Sequence, residues 1–399
     1  MNESSQYQDQ QVHDVIDRIE VLARLFEGSA VQRDKAGGHA ANERELIRQS
    51  GLLHLTTPVI YGGQGLSWHI LFLAVRRLAQ ADSALAHIFA FHHLQMATIL
   101  LFGTVAQHER LLTETVKRNW FWGNALNPND KRTQVSAYAK GEGAQVHGPK
   151  SYCSGSVGAD WLSFSAWDAV SESLLIGVVP GQAKGIDVIA DWDAFGQKQT
   201  DSATVCFDHV DIAAEHILVS PGTEWTPRTT LRSQLAQLTL VNLYIGMGLG
   251  ALEAGLDFTR KRSRPFVLSE VDRLVEDPYV LKRYGLLSTK LKAAQVLADL
   301  AAQKLDSALA RGVALTEKER GEVAIAVAQA KVMADHAVLQ TTQKIFDATG
   351  AGATSERLGL DRYWRNARVH TLHDPVDYKL RDLGRFALLG RYPAPTSYS

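Results

Sequence analysis

The chain has 399 residues, 42 basic and 43 acidic, which is long enough for two or three packed units because one core seldom grows past ~250 to 300 residues. The nearly cancelling charges leave no global field for nucleic acid, an anionic membrane or a polyanionic substrate. Two cysteines, Cys153 and Cys206, lie outside any CxxC or His-rich pattern, which argues against a disulfide scaffold or a zinc site and suits a reducing cytoplasm.

Met1 to Gln11 is polar with no apolar signal core, and no run reads as the ~20 apolar residues of a spanning helix, so a cytoplasmic, membrane-free protein is expected. Val12 to Phe26 and Asn42 to Gly51 carry apolar residues at helical spacing. Thr56 to Gly65, with Pro58 and three glycines, is turn-like and leads into a mostly apolar run, Trp68 to Phe102, read as two buried helices broken near Asp82. The amphipathic Val105 to Arg118 closes a first helical domain, 1–118.

At Asn119 the pattern changes to short segments that alternate or run apolar between glycines: Val135 to Lys140, Gln145 to His147, Trp161 to Trp167, Leu174 to Val179 and Ala203 to Phe207. They predict a small β domain, 119–226. Long helices then return at Leu231 to Arg262, Pro278 to Arg311 and Thr316 to Thr349, rich in Ala, Leu, Lys and Gln, which must pack as a bundle. Leu360 to Leu389, with Pro375 after an aspartate, predicts a short helix, a turn at His373 to Pro375 and a final helix, all within a third domain, 227–399.

Several stretches could carry chemistry. Gly148 to Gly158 clusters hydroxyls, glycines and free amides, which suits the edge of a planar, heteroatom-rich ring and equally suits a hairpin loop. Gly196 to Ser202 is a second polar turn, and Trp192 before it could stack on such a ring or anchor the loop. Arg260 to Arg264 ends an apolar helix with four cations, either a well-capped end or, through Arg264, a forked donor to phosphate. Arg365 to Asp374 gathers two imidazoles, two guanidiniums and a carboxylate. His370 and His373 there are the side chains most able to exchange protons near neutrality; a metal lacks a third close ligand unless Asp374 serves, and a packed terminus competes. His87, His92 and His93 on one apolar helix suggest a lined cavity. A serine-hydrolase elbow, a Walker loop and a dinucleotide fingerprint are missing, which disfavours nucleoside-triphosphate and nicotinamide chemistry.

Pro58-Val-Ile-Tyr-Gly-Gly-Gln-Gly65, Lys150 to Gly155, Phe195 to Ser202, Phe207-Asp-His-Val210 and Tyr363-Trp-Arg-Asn366 together resemble the acyl-CoA dehydrogenase superfamily over nearly the whole chain. Within it, Arg33 to Gly38, Trp122-Gly-Asn124, Tyr152 to Gly155, Lys198 to Ser202, Glu276 to Tyr279 and His370-Thr-Leu-His-Asp-Pro375 resemble the flavin monooxygenase branch typified by dibenzothiophene monooxygenase. The resemblance implies an α+β, mainly α fold: an N-terminal helical domain, a middle β-barrel and a C-terminal four-helix bundle, assembled as a homotetramer with flavin between barrel and bundle. It assigns Asn124, Ser154, Trp192, Ser202 and Arg264 to the flavin, with Arg264 at its phosphate. It assigns His87, Ser154 and His373 to holding and protonating a peroxyflavin, with His370 in the same pocket beside Phe91 and His92.

Two departures shape the expected chemistry. Where a dehydrogenase carries its glutamate base this chain reads Leu-His373-Asp374-Pro375, and the adenine-binding glycines are eroded to Thr349-Gly-Ala-Gly352, which favours FMN over FAD. Phe91 stands where the dibenzothiophene enzyme has tyrosine, and Asn127 to Arg132 adds Lys131 and Arg132 near the rim, which favours a small organosulfur anion such as an alkyl sulfinate over dibenzothiophene. The expected reaction is therefore a two-component one: a separate NAD(P)H-dependent reductase supplies FMNH2, oxygen adds as a hydroperoxide at the flavin C4a, and sulfur is oxygenated. Phe91, Trp122 and Trp192 would form the dry walls. The alternatives are an FAD-dependent acyl-CoA dehydrogenase and a scaffold that has lost its flavin.

Overall fold

The structure, a computed structural model, describes residues 3–261 and 264–399. Arg262 and Ser263 of the cationic run lie outside the described residues. The chain opens with α1 (Glu3–Glu27), α2 (Ala30–Ala36), α3 (Ala41–Gln49), α4 (Trp68–Ala81), α5 (Ser83–Phe102) and α6 (Val105–Arg118). Strands β1 (Trp122–Ala125), β2 (Gln134–Ala139), β3 (Gly143–Cys153), β4 (Trp161–Asp168), β5 (Ser173–Pro180), β6 (Ile186–Ile189), β7 (Ala203–Ala213) and β8 (Ile217–Val219) follow. The long helices α7 (Leu231–Lys261), α8 (Pro278–Ala310) and α9 (Glu317–Thr349), then α10 (Asp361–Thr371) and α11 (Val376–Leu389), complete it.

The breaks between helices have local causes. Asp82 splits α4 from α5 because its carboxylate accepts the Ala84 and Leu85 amides at 3.0 and 3.2 Å, while its other oxygen holds Arg33 at 2.5 Å. Asp277 caps α8 in the same way, with Pro278 in the first helical turn. Thr316 and Glu319 form a reciprocal box at the start of α9. The start of α4 is capped from another helix: Asp306 of α8 accepts the Trp68 and His69 amides at 2.9 and 3.1 Å.

The strands form one mixed eight-stranded sheet in the order β6-β7-β3-β2-β4-β5-β8, with β1 parallel to β4. Its core is Val146, Leu162, Phe164, Leu175, Val205 and Phe207. The sequence reading missed β1, β6 and β8, each of four residues or fewer, too short for two-fold alternation to register. It also cut β3 short, since Gly148 to Cys153 reads as loop chemistry yet pairs with β7 through bulges.

A second difference concerns the helices. The N-terminal helices and the bundle share one hydrophobic core, running from Val15, Phe26 and Phe72 through Phe89 to Leu238, Tyr244, Leu291 and Val338. Helices α5 and α7 are, by length and composition alone, apolar enough to span a membrane, contrary to the sequence reading, but 89% of each such window is buried inside the fold. Close approach of α4 and α7 requires glycine at 246, where a Cβ would lie 2.5 Å from both the Ala79 Cβ and the Arg76 carbonyl oxygen.

Gly246→Ala is therefore expected to force the two helices apart and lower stability by about 1–3 kcal/mol, read from the urea midpoint at unchanged m value. Gly285→Ala, where a Cβ meets nothing within 4 Å, serves as the comparison and should leave stability equal or slightly raised.

Candidate active site

Helix α5 is buried almost all round, so each polar side chain on it needs a partner. His92 finds two: one ring nitrogen lies 2.9 Å from the Leu53 carbonyl and the other accepts the Trp122 amide at 3.1 Å. His93 pairs with Leu52 O and Thr56 Oγ1. Gln95 donates to Phe91 O at 2.9 Å and to Asn124 Oδ1 at 3.3 Å. His87 has none. Both of its ring nitrogens are buried without a hydrogen-bond partner, while the ring stacks on Phe91 at 3.9 Å and faces His370 at 4.8 Å. Burial, and then the nearby His373, push the His87 pKa down to about 3.

Helix α10 delivers His370 and the turn after it delivers His373. The Tyr244 hydroxyl donates to the His370 carbonyl at 2.8 Å, and the fully buried Lys331 donates to Tyr244 Oη and to Asp374 Oδ1, both at 3.0 Å. Lys379 adds a second cation 3.6 Å from Asp374. Burial opposes ionisation of Asp374, but the His373 hydrogen bond and the Lys331 and Lys379 charges hold its carboxyl well below the usual range. His370 keeps an unpartnered Nδ1, and burial, His87, His373 and Lys331 all disfavour its protonation. His373 is different: its side chain is 43% exposed, with Nδ1 3.4 Å from Asp374 Oδ1 and the ring edge-on to Tyr398. Tyr398 in turn accepts from Asn129 Nδ2 at 2.9 Å, which brings the C-terminal segment against the loop after β1.

The sheet contributes a chain of buried hydroxyls. Ser154 Oγ lies 3.0 Å from Ser202 Oγ, which lies 2.7 Å from Thr200 Oγ1, which donates to Gln197 O at 3.0 Å. The Asn124 amide donates to Ser154 O at 2.9 Å, so the hydroxyls join the Gln95 and His87 side through β1. Arg44 braces this region from α3, with Nη2 on Gly155 O at 3.0 Å, Nη1 on Asp201 at 3.4 Å and its plane over Phe121. The 196–202 loop is fixed by a junction in which Asn366 Oδ1 accepts the Gln197 amide at 2.6 Å and Ser83 Oγ accepts from both Gln197 Nε2 and Asn366 Nδ2. Gly196 is required there because a Cβ would lie 2.4 Å from the Arg365 carbonyl oxygen. Trp192 is half-buried, donating to Gln197 O at 2.9 Å and meeting Tyr152 edge-on.

The structure thus brings together His87, Phe91 and His370, sets His373 beside Asp374, links Asn124 to Ser154, and joins Ser154 to Ser202. It does not bring in His92, which sits about 100° round the helix from Phe91 and is spent on the Leu53 and Trp122 backbones. Arg264 is exposed and, among the described residues, takes part in none of these contacts. The Trp122 ring stacks on Trp161 and donates to Thr115, while its amide donates to His92. Lys131 lies 3.4 Å over the Trp167 ring and Arg132 pairs with Asp130 at 2.6 Å, both exposed to solvent and in contact with none of the residues above. Sequence reading missed Gln95, Thr200, Tyr244 and Lys331. Lys331 carried a signal: at 324, 327, 331, 334 and 338 it falls on the buried stripe of α9, where a lysine needs a partner.

Residues 21–119 match the acyl-CoA dehydrogenase N-terminal domain and residues 238–378 the acyl-CoA dehydrogenase C-terminal domain. The chain is 43% identical over 380 residues to the probable FMNH2-dependent monooxygenase SfnC of Pseudomonas putida, covering 95% of each. Methanesulfinate monooxygenase MsuC from Pseudomonas fluorescens superposes with a TM-score of 0.93 at 42% identity, covering 96% of this chain and 99% of that one. TdsC from Paenibacillus sp. A11-2, in complex with FMN and indole, superposes with a TM-score of 0.92 at 35% identity, covering 96% and 99%.

The depressed value of His87 has a consequence for stability. Because the folded-state pKa of about 3 lies below the unfolded ~6.5, the unfolded chain binds this proton first, and stability is lost as pH falls through that window by ~1.4 kcal/mol per unit. His87→Phe should make stability between pH 6 and 4 shallower by that slope, measured from urea midpoints. An unchanged slope would mean that His87 is not held neutral.

Proposed function

We propose that this chain, which belongs to the acyl-CoA dehydrogenase superfamily, is an FMNH2-dependent two-component monooxygenase that places one atom of O2 on the sulfur of an organosulfur compound. The observation that carries this reading is His87, without a hydrogen-bond partner among the described residues, stacked on Phe91 and facing His370. Asp374, the carboxylate beside His373, is clamped by Lys331 and Lys379, which makes it a poor base for the α-proton of a thioester. The kinship with SfnC and MsuC over nearly their full lengths supports oxygenation at sulfur.

The residues fit a reduced flavin. Buried Ser154 and Ser202 share hydrogens along a chain of hydroxyls with acceptor capacity to spare, the imidazoles of His87 and His370 have unused nitrogens, and the half-buried Trp192 indole lies beside the hydroxyl loop. Asn124, Ser154, Trp192 and Ser202 would hold the ring system. FMN, once reduced and bound, supplies the electrons and the site at which O2 is activated.

Each histidine then has a separate task. His87 and His370, kept neutral by burial, act as hydrogen-bonding groups in a space walled by Phe91 and closed to water. His373 moves the proton, because it alone of the three is half-exposed and beside a carboxylate, and Lys331 fixes that carboxylate from behind. Overall, a sulfinate, O2 and FMNH2 give a sulfonate, FMN and water.

A separate NAD(P)H-dependent flavin reductase must supply FMNH2, which places the enzyme in the cytoplasm. We read the assembly as a homotetramer: Phe266, Val267 and Leu268 are 68%, 87% and 76% exposed next to Arg264, and Leu281, Leu286, Val296 and Leu300 are exposed along α8. A neighbouring subunit over this surface would bury Arg264 and give it the flavin phosphate to bind.

The test is single turnover of FMNH2-loaded protein with O2 and methanesulfinate, measuring sulfonate and hydrogen peroxide formed per flavin oxidised. His373→Ala should slow sulfonate formation about 100-fold or more and divert the flavin's electrons to hydrogen peroxide, with the FMN-induced rise in melting temperature retained. Unaltered sulfonate yield would remove His373 from its role. Anaerobic reduction of bound FAD by an acyl-CoA would overturn the reading altogether.

A further inference from the structure

Gln95 is fully buried in α5, on the helix face that carries His87 and Phe91. Its carboxamide folds back along its own helix: Nε2 donates to the Phe91 carbonyl at 2.9 Å and to Asn124 Oδ1 at 3.3 Å, while Oε1 is buried with no partner. A carboxamide nitrogen carries two hydrogens, and both are spent. Idle carboxamide oxygens recur at Gln197 and Gln199, whose nitrogens meet Ser83, Met247, Asn366 and Gly37. Gln95 differs in spending one hydrogen on another side-chain amide, that of Asn124.

That pairing settles which way both amides face. The Phe91 carbonyl can only accept, so Gln95 must set its nitrogen against it; turned over, it would oppose one oxygen to another. The same nitrogen faces Asn124, which must therefore present Oδ1 to Gln95 and Nδ2 to the opposite side. Asn124 itself is half-buried in β1, its backbone fixed by donation to Ser154 O at 2.9 Å and by parallel pairing with β4 at Ser163. Its Nδ2 has no hydrogen-bond partner among the described residues.

We propose that Gln95 is a positioning residue for flavin binding: it locks the Asn124 carboxamide so that Nδ2–H is the group offered to the ring, and Asn124 donates to a carbonyl on the flavin's pyrimidine edge instead of accepting from the ring N–H. The inference rests on the flavin-dependent reading and adds to it the direction of this hydrogen bond and the residue that sets it. A pyrimidine edge presents carbonyls and an N–H side by side, so an amide free to turn over would accept the ring in more than one registration. A locked amide selects one. Holding Nε2 against Phe91 and Asn124 leaves Oε1 a buried acceptor with no hydrogen, which disfavours folding. Methionine, of similar volume, would pack there without that penalty, so the arrangement serves the ligand at the expense of the core.

The experiment uses the full-length protein with oxidised FMN as the probe. Gln95→Met should raise the FMN dissociation constant about 3- to 10-fold, the loss of one neutral hydrogen bond. It should also move a carbonyl stretch of bound, isotopically labelled FMN to higher frequency, because that oxygen loses its donor. The urea midpoint without FMN should stay equal or rise. A purely structural Gln95 would give the reverse, a lower midpoint with FMN affinity and carbonyl frequency unchanged, and that result overturns the proposal. Asn124→Asp keeps an oxygen toward Gln95 and removes Nδ2–H; it should show the same loss of affinity and the same rise in frequency, and it carries the test if the methionine variant does not fold. FMN affinity retained or improved in Asn124→Asp would mean that residue 124 accepts from the ring, which also overturns the proposal. A wild-type protein whose melting temperature FMN does not raise overturns the flavin reading and this inference together, whereas wild-type FMN binding matched by both variants removes the positioning role alone.

Discussion

Three stretches far apart in sequence meet at one buried polar junction, and the site takes its shape from it. Ser83 at the start of α5, Gln197 in the loop after β6 and Asn366 in α10 hydrogen-bond to one another away from water. Each therefore helps to fix the position of the other two. The close approach that this demands is possible only because residue 196 has no side chain. With the loop held, Thr200 and Ser202 fall beside Ser154; with α10 held, His370 falls opposite His87.

Around that frame the charges are sorted by partner rather than by depth. The imidazoles of His87 and His370 lie where desolvation keeps them uncharged, and Phe91 adds an aromatic face rather than a dipole. On the far side of α10, Lys331 and Lys379 both bear on Asp374. His373 stands between the two zones. A single glutamate, the base of the thioester-oxidising relatives, could not serve both: it would bring an anion into the part of the site that is kept neutral.

Much of this was readable from the residues. The long helices announced themselves through period and caps, with Asp82, Pro278 and Thr316 marking starts within a residue or two. The C-terminal histidines and the two hydroxyl loops were visible as dense clusters of unusual residues. What stayed hidden depends on contacts across long sequence separations. Tyr244 looks like an ordinary member of α7 until α9 and α10 are placed against it. His92 misled for the converse reason, since a helix full of histidines does not tell which of them has found a carbonyl. The contacts of Lys131 with Trp167 and of Arg132 with Asp130 are recognised only once the sheet is folded.

The core shared by the first helices and the bundle bears on how the chain is made. Helices α4 and α5 bury their apolar faces against α7, which begins roughly 110 residues after α6 ends. At the ribosome's pace of ~5–20 residues per second, those faces wait on the order of ten seconds for their partner. During that interval the whole sheet is synthesised between two halves of an unfinished helical body. Newly made chains therefore pass through a stage with a large sticky surface, and holdase chaperones or slower growth temperatures should decide how much of the protein reaches its native form.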